Sequence, residues 1–191
     1  MHMLLERGCS LSSKGSFGYT LLHQVAYTPH AKLCDFILSQ GANMDALSKN
    51  GSTPLLIAAR EGHPEVVRTM LRYGADPDDG GDKGVSPLLM AAAEGHLAVV
   101  RLLLSYGANA NIASSFEGRT PLHEAAASGH LEVCSALIEE GGATADQPDS
   151  QGVSAWDIAT LNGKKDILSA LGGSSAKRLS VLPVPEAAIA N

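Results

Sequence analysis

Histidines are the residues of this sequence best suited to metal binding or acid–base chemistry. Four of them share one position of a repeating pattern: His30, His63, His96 and His130. Two more, His23 and His123, share another. Equivalent positions on helices packed side by side lie about 8–10 Å apart, whereas zinc ligands lie about 2 Å from the metal. Histidines of one position therefore cannot share a zinc ion, and we expect them to cap helix ends and form hydrogen bonds there.

An acidic loop superficially suggests a calcium site, through Asp76, Asp78, Asp79 and Asp82. Counting from Asp76, Gly80 stands at the fifth position, where an oxygen ligand belongs, and no glutamate stands at the twelfth. We interpret the segment as a solvated loop tip. No serine or cysteine lies in a nucleophile motif, and no glycine-rich segment has a phosphate-binding form. The sequence therefore predicts neither an enzyme nor a bound metal or cofactor.

The cysteines are odd in number and widely spaced, at Cys9, Cys34 and Cys134, so they imply no disulfide framework. Cys34 and Cys134 fall where other copies of the pattern carry valine, and we expect them to be small buried apolar residues. Glu6 and Arg7 interrupt what would be the apolar region of a signal peptide. We expect an intracellular, cytoplasmic location, with the nucleus as an alternative.

The charge pattern narrows the classes of partner. The formal net charge is −6, and acidic and basic side chains are interspersed. A nucleic-acid-binding protein would need a basic stripe, which the sequence lacks. The sequence also contains no run of about 18 apolar residues that would insert into a membrane.

Glycine marks the start of a segment that recurs along the sequence. The leading residues Gly18, Gly51, Gly84, Gly118 and Gly152 are 33, 33, 34 and 34 residues apart. The clearest copy, residues 118–137, reads GRTPLHEAAASGHLEVCSAL. Self-similarity at this period indicates an array of stacked units, each packed only on its neighbours.

Each copy predicts two short helices joined by a tight turn. A hydroxyl residue followed by proline, as in Thr53-Pro54, can cap a helix and begin its first turn. Left-handed glycines are expected to end the first helix, at Gly62, Gly95, Gly129 and Gly163. Other glycines are expected to end the second helix, at Gly41, Gly74, Gly107 and Gly141. The extra residues of the two longer periods are expected in the polar loops that follow.

This pattern strongly resembles the ankyrin repeat family. The family signature Thr-Pro-Leu-His-x-Ala matches Thr120 to Ala125 in full, and the resemblance covers about residues 4–173. It implies an all-α solenoid of stacked antiparallel helix pairs with projecting β-hairpin-like loops. Leu56 and Leu89 replace the signature histidine, which would remove a side-chain hydrogen bond that the family usually makes between neighbouring repeats.

The repeat register divides the chain into three parts. Residues 1–13 correspond to the back half of a truncated repeat, 14–173 to four repeats and a C-terminal capping repeat, and 174–191 to a tail. We interpret the chain as a fragment of a longer protein. The composition of the tail indicates a disordered or extended linker. A phosphorylatable segment around Ser180, or a short docking peptide, is the alternative.

The resemblance also implies a partner surface on the concave side, made of first helices and loop tips. In these helices the residues not needed for packing lie three and four apart and form one face. The residues we assign to partner binding are Phe17, Tyr19, Gln24, Tyr27, Thr28, Lys49, Asn50, Ile57, Arg60, Glu61, Asp82, Lys83, Met90, Glu94, Phe116, Arg119 and Glu124.

Aromatic and methionine side chains close to arginine are typical of interface cores. We therefore predict a partner segment whose apolar side chain lies over Ile57 and Met90, with a basic residue near Glu61 and Glu94. The alternative is that Ile57 and Met90 are partly buried packing residues.

The leading functional prediction is a non-enzymatic protein–protein interaction module, a monomeric segment of a scaffold or adaptor. An alternative is a regulatory or targeting domain that inhibits or positions an enzyme, for example by recruiting substrate for a ubiquitin ligase or controlling a kinase or phosphatase. A third is a structural spacer, whose loop surface would tolerate mutation. Because fold does not fix function, the sequence does not name the partner.

Overall fold

The computed structural model describes residues 11–82 and 84–172, and within them the chain forms ten short helices in five antiparallel pairs. The inner helices are α1 (Leu21–Ala26), α3 (Pro54–Arg60), α5 (Pro87–Ala93), α7 (Pro121–Ser128) and α9 (Ala155–Leu161). The outer helices are α2 (Ala31–Ser39), α4 (Pro64–Arg72), α6 (Leu97–Ser105), α8 (Leu131–Glu139) and α10 (Lys165–Ala170). Each inner helix packs on the next inner helix, and each outer helix on the next outer helix. The predicted all-α repeat solenoid is confirmed.

The inner helices begin at the hydroxyl residues that the sequence indicated. Thr53 and Ser86 accept a hydrogen bond on their side-chain oxygen from the backbone N–H of Leu56 and Leu89, each at 3.2 Å. Proline occupies the first turn of α3, α5 and α7, where its missing N–H leaves no helical hydrogen bond unmade. These caps fix where each repeat enters the stack.

The turn between inner and outer helix is confirmed as a left-handed glycine at Gly62, Gly95, Gly129 and Gly163, with φ between 65° and 90°. In the first pair Pro29 stands at this position and cannot adopt a positive φ. The chain there turns instead through Thr28, whose N–H and hydroxyl both donate to the carbonyl of Val25 at 2.9 Å. The first turn therefore differs from the other four, as the sequence predicted.

The end of α8 corrects one sequence-based prediction. Gly142, not Gly141, is the left-handed residue there (φ 65°), while the outer helices α2, α4 and α6 end at Gly41, Gly74 and Gly107 as predicted. The extra residue of this period therefore lies at the end of the helix rather than in the loop. It is accommodated by two hydrogen bonds, from the N–H of Gly142 to Ile138 and from that of Ala143 to Leu137. Only the other insertion, between Ser114 and Gly118, widens a loop.

The core is a continuous layer between inner and outer helices. Pairs of buried alanines in α3, α5 and α7 allow neighbouring helices to approach closely, at Ala58, Ala59, Ala91, Ala92, Ala125 and Ala126. Cys34 and Cys134 are fully buried in this layer, as expected. Burial raises the pKa of both thiols to about 12, so neither is a thiolate at neutral pH.

The loops are joined edge to edge by backbone hydrogen bonds. The N–H groups of Lys49, Asp82, Ser115 and Ser150 donate to the carbonyls of Phe17, Gly51, Gly84 and Glu117, at 2.9–3.1 Å. Among the described residues this ribbon contains one isolated antiparallel bridge, Pro148 to Ser154, and no assigned strand. The loops are thus hairpin-like turns, and their tips are held in a row beside the inner helices.

Candidate functional site

One position of the inner helices forms a row along the molecule, which we call the inner row: Tyr27, Arg60, Ala93, Ala127 and Leu161. Its first two members are large and its middle two are alanines. Leu161, at the far end, is 72% exposed. Together with the loop tips this row defines the inner face, and its composition concentrates bulky side chains at the two ends.

An aromatic–arginine cluster occupies the first end of the inner face and consists of Phe17, Tyr19, Tyr27, Arg60 and Glu61. The Tyr19 ring lies 6.2 Å from Phe17 and 5.8 Å from Tyr27, and the two tyrosine hydroxyls are 3.0 Å apart. The Arg60 guanidinium lies 5.7 Å from the centre of the Tyr27 ring and donates to its hydroxyl at 3.2 Å. Arg60 also forms an ion pair with Glu61 at 2.9 Å. The structure therefore places next to one another five of the residues that the sequence assigned to the partner surface.

The cluster is an ordered polar network as well as an aromatic surface. The hydrogen bond to Tyr27 raises the pKa of Tyr19 above its usual value, with burial as a second cause. Tyr19 therefore remains neutral at physiological pH. Tyr19 is also stacked on the buried His23 ring, 5.5 Å away, which ties the cluster to the core of the first repeat.

The middle of the inner face requires a correction. Ile57 is only 2% exposed and belongs to the core, so it cannot lie beneath a partner side chain. Met90, at the equivalent position of the next repeat, is half-buried, and Glu94 is exposed. The predicted apolar anchor over Ile57 and Met90 is therefore wrong for Ile57, and this region offers Met90 alone.

The remaining predicted positions on α1 and the loop tips are accessible in differing degrees. Gln24, Lys49, Asn50, Asp82 and Phe116 are exposed, and Phe116 reaches 94%. Thr28 is half-buried, with its hydroxyl bonded to the Val25 carbonyl. Lys83 lies outside the described residues. These residues are spread along the loop edge and do not form a second cluster.

Arg119 lies at the other end, surrounded by carboxylates. Its guanidinium lies 3.4 Å from Glu124, 3.5 Å from Glu117 and 3.7 Å from Asp149. The Asp149 side chain is only 4% exposed. Burial alone would raise the pKa of Asp149, but N–H donors from Val153 and Gln151, with His123 and Arg119 nearby, hold it below its usual value. Arg119 and Glu124 are thus half-buried partners of each other.

Beside Arg119 is a groove of about 290 Å³ between α7, α9 and their loops. We call it the Leu161 groove, and its lining is Arg119, Ala127, Asp149, Gln151, Val153, Ile158, Leu161 and Asn162. Most of these residues were not assigned to the partner surface from the sequence. Leu161 could have been found, because it occupies the same repeat position as Tyr27 and Arg60, but the last repeat was interpreted only as a cap.

The histidines form hydrogen bonds between repeats. Nδ1 of His123 accepts from the N–H of Thr120 at 3.1 Å, so Nε2 carries the proton and donates to the Val153 carbonyl at 3.1 Å. His23 makes the equivalent bonds to Thr20 and Ser52.

Histidines at the other repeat position form hydrogen bonds to the preceding inner helix. Nε2 of His96 lies 2.8 Å from the Arg60 carbonyl oxygen, and Nε2 of His130 lies 3.1 Å from the Ala93 carbonyl oxygen. For these four histidines the predicted hydrogen bonds at helix ends are confirmed, but the side chains of His96 and His130 do not cap α6 and α8, the helices that they precede.

The substitution of Leu56 for histidine has a local compensation. Without an imidazole at residue 56, the Thr53 hydroxyl donates to the carbonyl of Asp79, in the loop between α4 and α5, at 3.1 Å. A side-chain hydrogen bond from the start of α3 to the loop that leads into the next repeat is therefore kept, although by a different donor from the one the family signature supplies.

Comparison with known families agrees with this geometry. A family model described as Ankyrin repeats (3 copies) matches residues 1–80, 22–114 and 88–178, which together span most of the chain. The chain belongs to the ankyrin repeat family, whose members are generally non-catalytic protein–protein interaction modules. A search of curated proteins gave no match. None of the helices in residues 11–82 and 84–172 has the length and apolar character needed to cross a membrane.

Proposed function

We propose that this chain is a monomeric protein-interaction module of the scaffold or adaptor kind, and that its inner face binds a segment of a partner protein. The observation that carries the proposal is the aromatic–arginine cluster. Tyrosine and arginine are the residue types that most often dominate binding energy at protein interfaces. Here they lie together on a face that residues 11–82 and 84–172 leave accessible at Phe17 and Tyr27.

The cluster is fixed before any partner arrives. The Tyr27 side chain, with the residue 37% exposed, is held by Tyr19 on one side and Arg60 on the other. Side chains already fixed in position lose less conformational entropy on binding, so more of their contact energy appears as affinity.

The inner row sets the size of the segment that it can bind. Its five positions are separated by four inter-helix spacings of about 9 Å each, which places Tyr27 roughly 36 Å from Leu161. An extended peptide of about 11 residues spans this distance. The two alanines in the middle leave room for the backbone of such a segment, and the bulky ends provide its contacts.

The proposal is tested by quantitative capture from an extract of the cells that make the protein. The immobilised chain is compared with Tyr27→Ala and with Tyr106→Ala, a tyrosine of similar exposure (40%) at the end of the outer helix α6. We expect Tyr27→Ala to weaken retention of specific partners about tenfold or more, as loss of an interface hot spot does. Tyr106→Ala should retain them. Equal retention by all three proteins, at equal thermal stability, would contradict the proposal.

A further inference from the structure

The Leu161 groove combines an apolar floor with a charged rim. Ala127, Val153, Ile158 and Leu161 supply the apolar side, and Leu161 is the most exposed aliphatic side chain among the large hydrophobic residues of the described chain. The volume of the groove, about 290 Å³, lies at the bottom of the range for small-molecule sites. It suits one large apolar side chain rather than a cofactor.

The charged residues that line the groove are Arg119 and Asp149, and two further carboxylates, Glu117 and Glu124, lie beside Arg119 outside this lining. Three carboxylates, Glu117, Glu124 and Asp149, lie within 3.7 Å of the Arg119 guanidinium. Lys164 approaches the end of α7 at Gly129, where a Cβ atom would lie 2.9 Å from its Nζ. Counting both cations and the three carboxylates, the formal charge around the groove is still negative.

Arg119 is a poor receptor for an acidic partner. Three carboxylates already surround its guanidinium, at Nε and Nη1, and they offset its positive charge. An acidic ligand would also meet the repulsion of the remaining negative charges, whereas a cation would be attracted. Charge complementarity therefore selects a basic neighbour for whichever apolar side chain enters the groove.

We infer that the Leu161 groove binds an apolar side chain of the partner segment whose adjacent residue is lysine or arginine. The apolar side chain packs on Leu161, Val153 and Ala127, and the cation lies at Glu117 and Glu124. This inference rests on the proposed function and adds to it a second contact, at the opposite end of the inner face from the aromatic–arginine cluster. The partner segment is thus expected to contain an apolar residue directly next to a basic one.

The test uses three synthetic peptides of about twelve residues, which is enough to cross the groove when extended. They share a glycine–serine background and differ in the central pair: Leu-Arg, Leu-Glu or Ser-Arg. Each is titrated into the ¹⁵N-labelled chain and followed by amide chemical shifts. We expect the Leu-Arg peptide to shift the amides of Ala127, Gln151 and Leu161 and not that of Tyr106, with an affinity about three- to tenfold above the other two.

Two variants separate the apolar from the charged contribution. Leu161→Ser should weaken binding of the Leu-Arg peptide. It should leave the fold intact, because the side chain that it removes is largely exposed. Glu117→Gln with Glu124→Gln should remove the preference for Leu-Arg over Leu-Glu. Tyr106→Ala is the control and should change neither affinity.

The outcomes for this inference and for the proposed function are distinct. Equal affinity for the Leu-Arg and Leu-Glu peptides, or shifts that avoid the groove, would overturn the inference. Neither result affects the capture experiment with Tyr27→Ala, which judges partner binding by the cluster at the other end. Conversely, if the peptide binds at the groove while Tyr27→Ala captures partners as well as the original chain does, the proposed role of the cluster is contradicted and that of the groove is supported.

Discussion

At the residue scale, the buried imidazoles His23 and His123 connect neighbouring repeats. Each uses both ring nitrogens, accepting on Nδ1 and donating from Nε2. Protonation would place a hydrogen on Nδ1 and destroy its acceptor role. Burial lowers the pKa of both rings, although their bonds to backbone carbonyls act in the opposite direction.

These pKa shifts make the stability of the stack dependent on pH. An unfolded histidine titrates near 6.5, and each folded ring titrates below its usual value, so the unfolded chain binds more protons in between. The stabilisation that these two histidines contribute is therefore fully present above about pH 6.5, and it decreases as the pH drops towards their folded pKa values. We expect urea unfolding to give a lower free energy at pH 5 than at pH 7.5.

The double variant His23→Leu/His123→Leu is the control for this pH effect, because Leu56 and Leu89 occupy the same repeat position naturally. We expect it to be less stable at pH 7.5 by about 1–2 kcal/mol per lost hydrogen bond. Its stability should then change less between pH 7.5 and pH 5 than that of the original chain. An equal change in both proteins would show that other groups cause the pH dependence.

Asp149 organises the loop before α9. Its Oδ1 accepts from the N–H of Gln151 at 2.9 Å and from that of Val153 at 3.0 Å. We expect Asp149→Ala to reduce the free energy of unfolding by about 2 kcal/mol, because two backbone donors, one part-buried and one exposed, lose a charged acceptor. Gln151→Ala, an exposed neighbour, should change it by less than about 0.5 kcal/mol. Similar losses in both variants would contradict this role for Asp149.

At the element scale, the turn between the two helices of a repeat depends on a glycine for two reasons. Gly95 has a φ of 77°, and a Cβ atom there would lie 2.6 Å from Cε1 of His130 in the next repeat. Gly107, at the other end of α6, has a φ of 88° but open space around it. The two glycines therefore separate the cost of backbone strain from the cost of a collision.

The comparison of Gly95→Ala with Gly107→Ala tests this separation. Both substitutions should lower the free energy of unfolding by about 1 kcal/mol, because alanine is placed in the left-handed region. Gly95→Ala should lose about 1–2 kcal/mol more, because the His130 ring must leave the Ala93 carbonyl that it bonds. Urea unfolding of the two variants at pH 7.5 measures the difference. Equal losses would mean that the ring moves without cost.

The sequence predicted the elements better than it predicted which inner-face side chains are exposed. Helix starts and the inner turns follow from local rules of capping and left-handed glycine, which act within a few residues. The extra residue next to Gly141 was predicted in the loop but lies at the end of α8, because two consecutive glycines do not indicate which of them ends the helix.

Exposure on the inner face was harder to predict, because position in the repeat does not determine it. Gln24, Ile57, Met90, Glu124 and Ile158 share one position, yet Gln24 is exposed while Ile57 and Ile158 are buried. This position lies at the edge of the core, so an apolar side chain turns inward and a polar one outward. The aromatic–arginine cluster depends likewise on side-chain directions across two repeats, which residue spacing alone does not specify.

At the scale of the whole molecule, the stack separates what holds the fold from what is free to bind. Alanine pairs, capping residues and histidine hydrogen bonds repeat along the chain and fix the inner helices and loop tips in rows. The inner row differs at every step except its two alanines, with Tyr27 and Arg60 at one end and Leu161 at the other. If the proposed function holds, we expect specificity for a partner to come from the two ends of the inner face.

The proposed function requires the partner to lie against the inner face at Tyr27. Site-specific photo-crosslinking tests it most directly, with benzoylphenylalanine placed at residue 27 or, as a matched control, at residue 106 on the outer side. Tyr27 and Tyr106 have similar exposure, 37% and 40%, so both probes meet solvent equally. We predict a covalent adduct of the partner with the probe at residue 27 and none at residue 106. An adduct at residue 106 with none at residue 27 would contradict the proposed function.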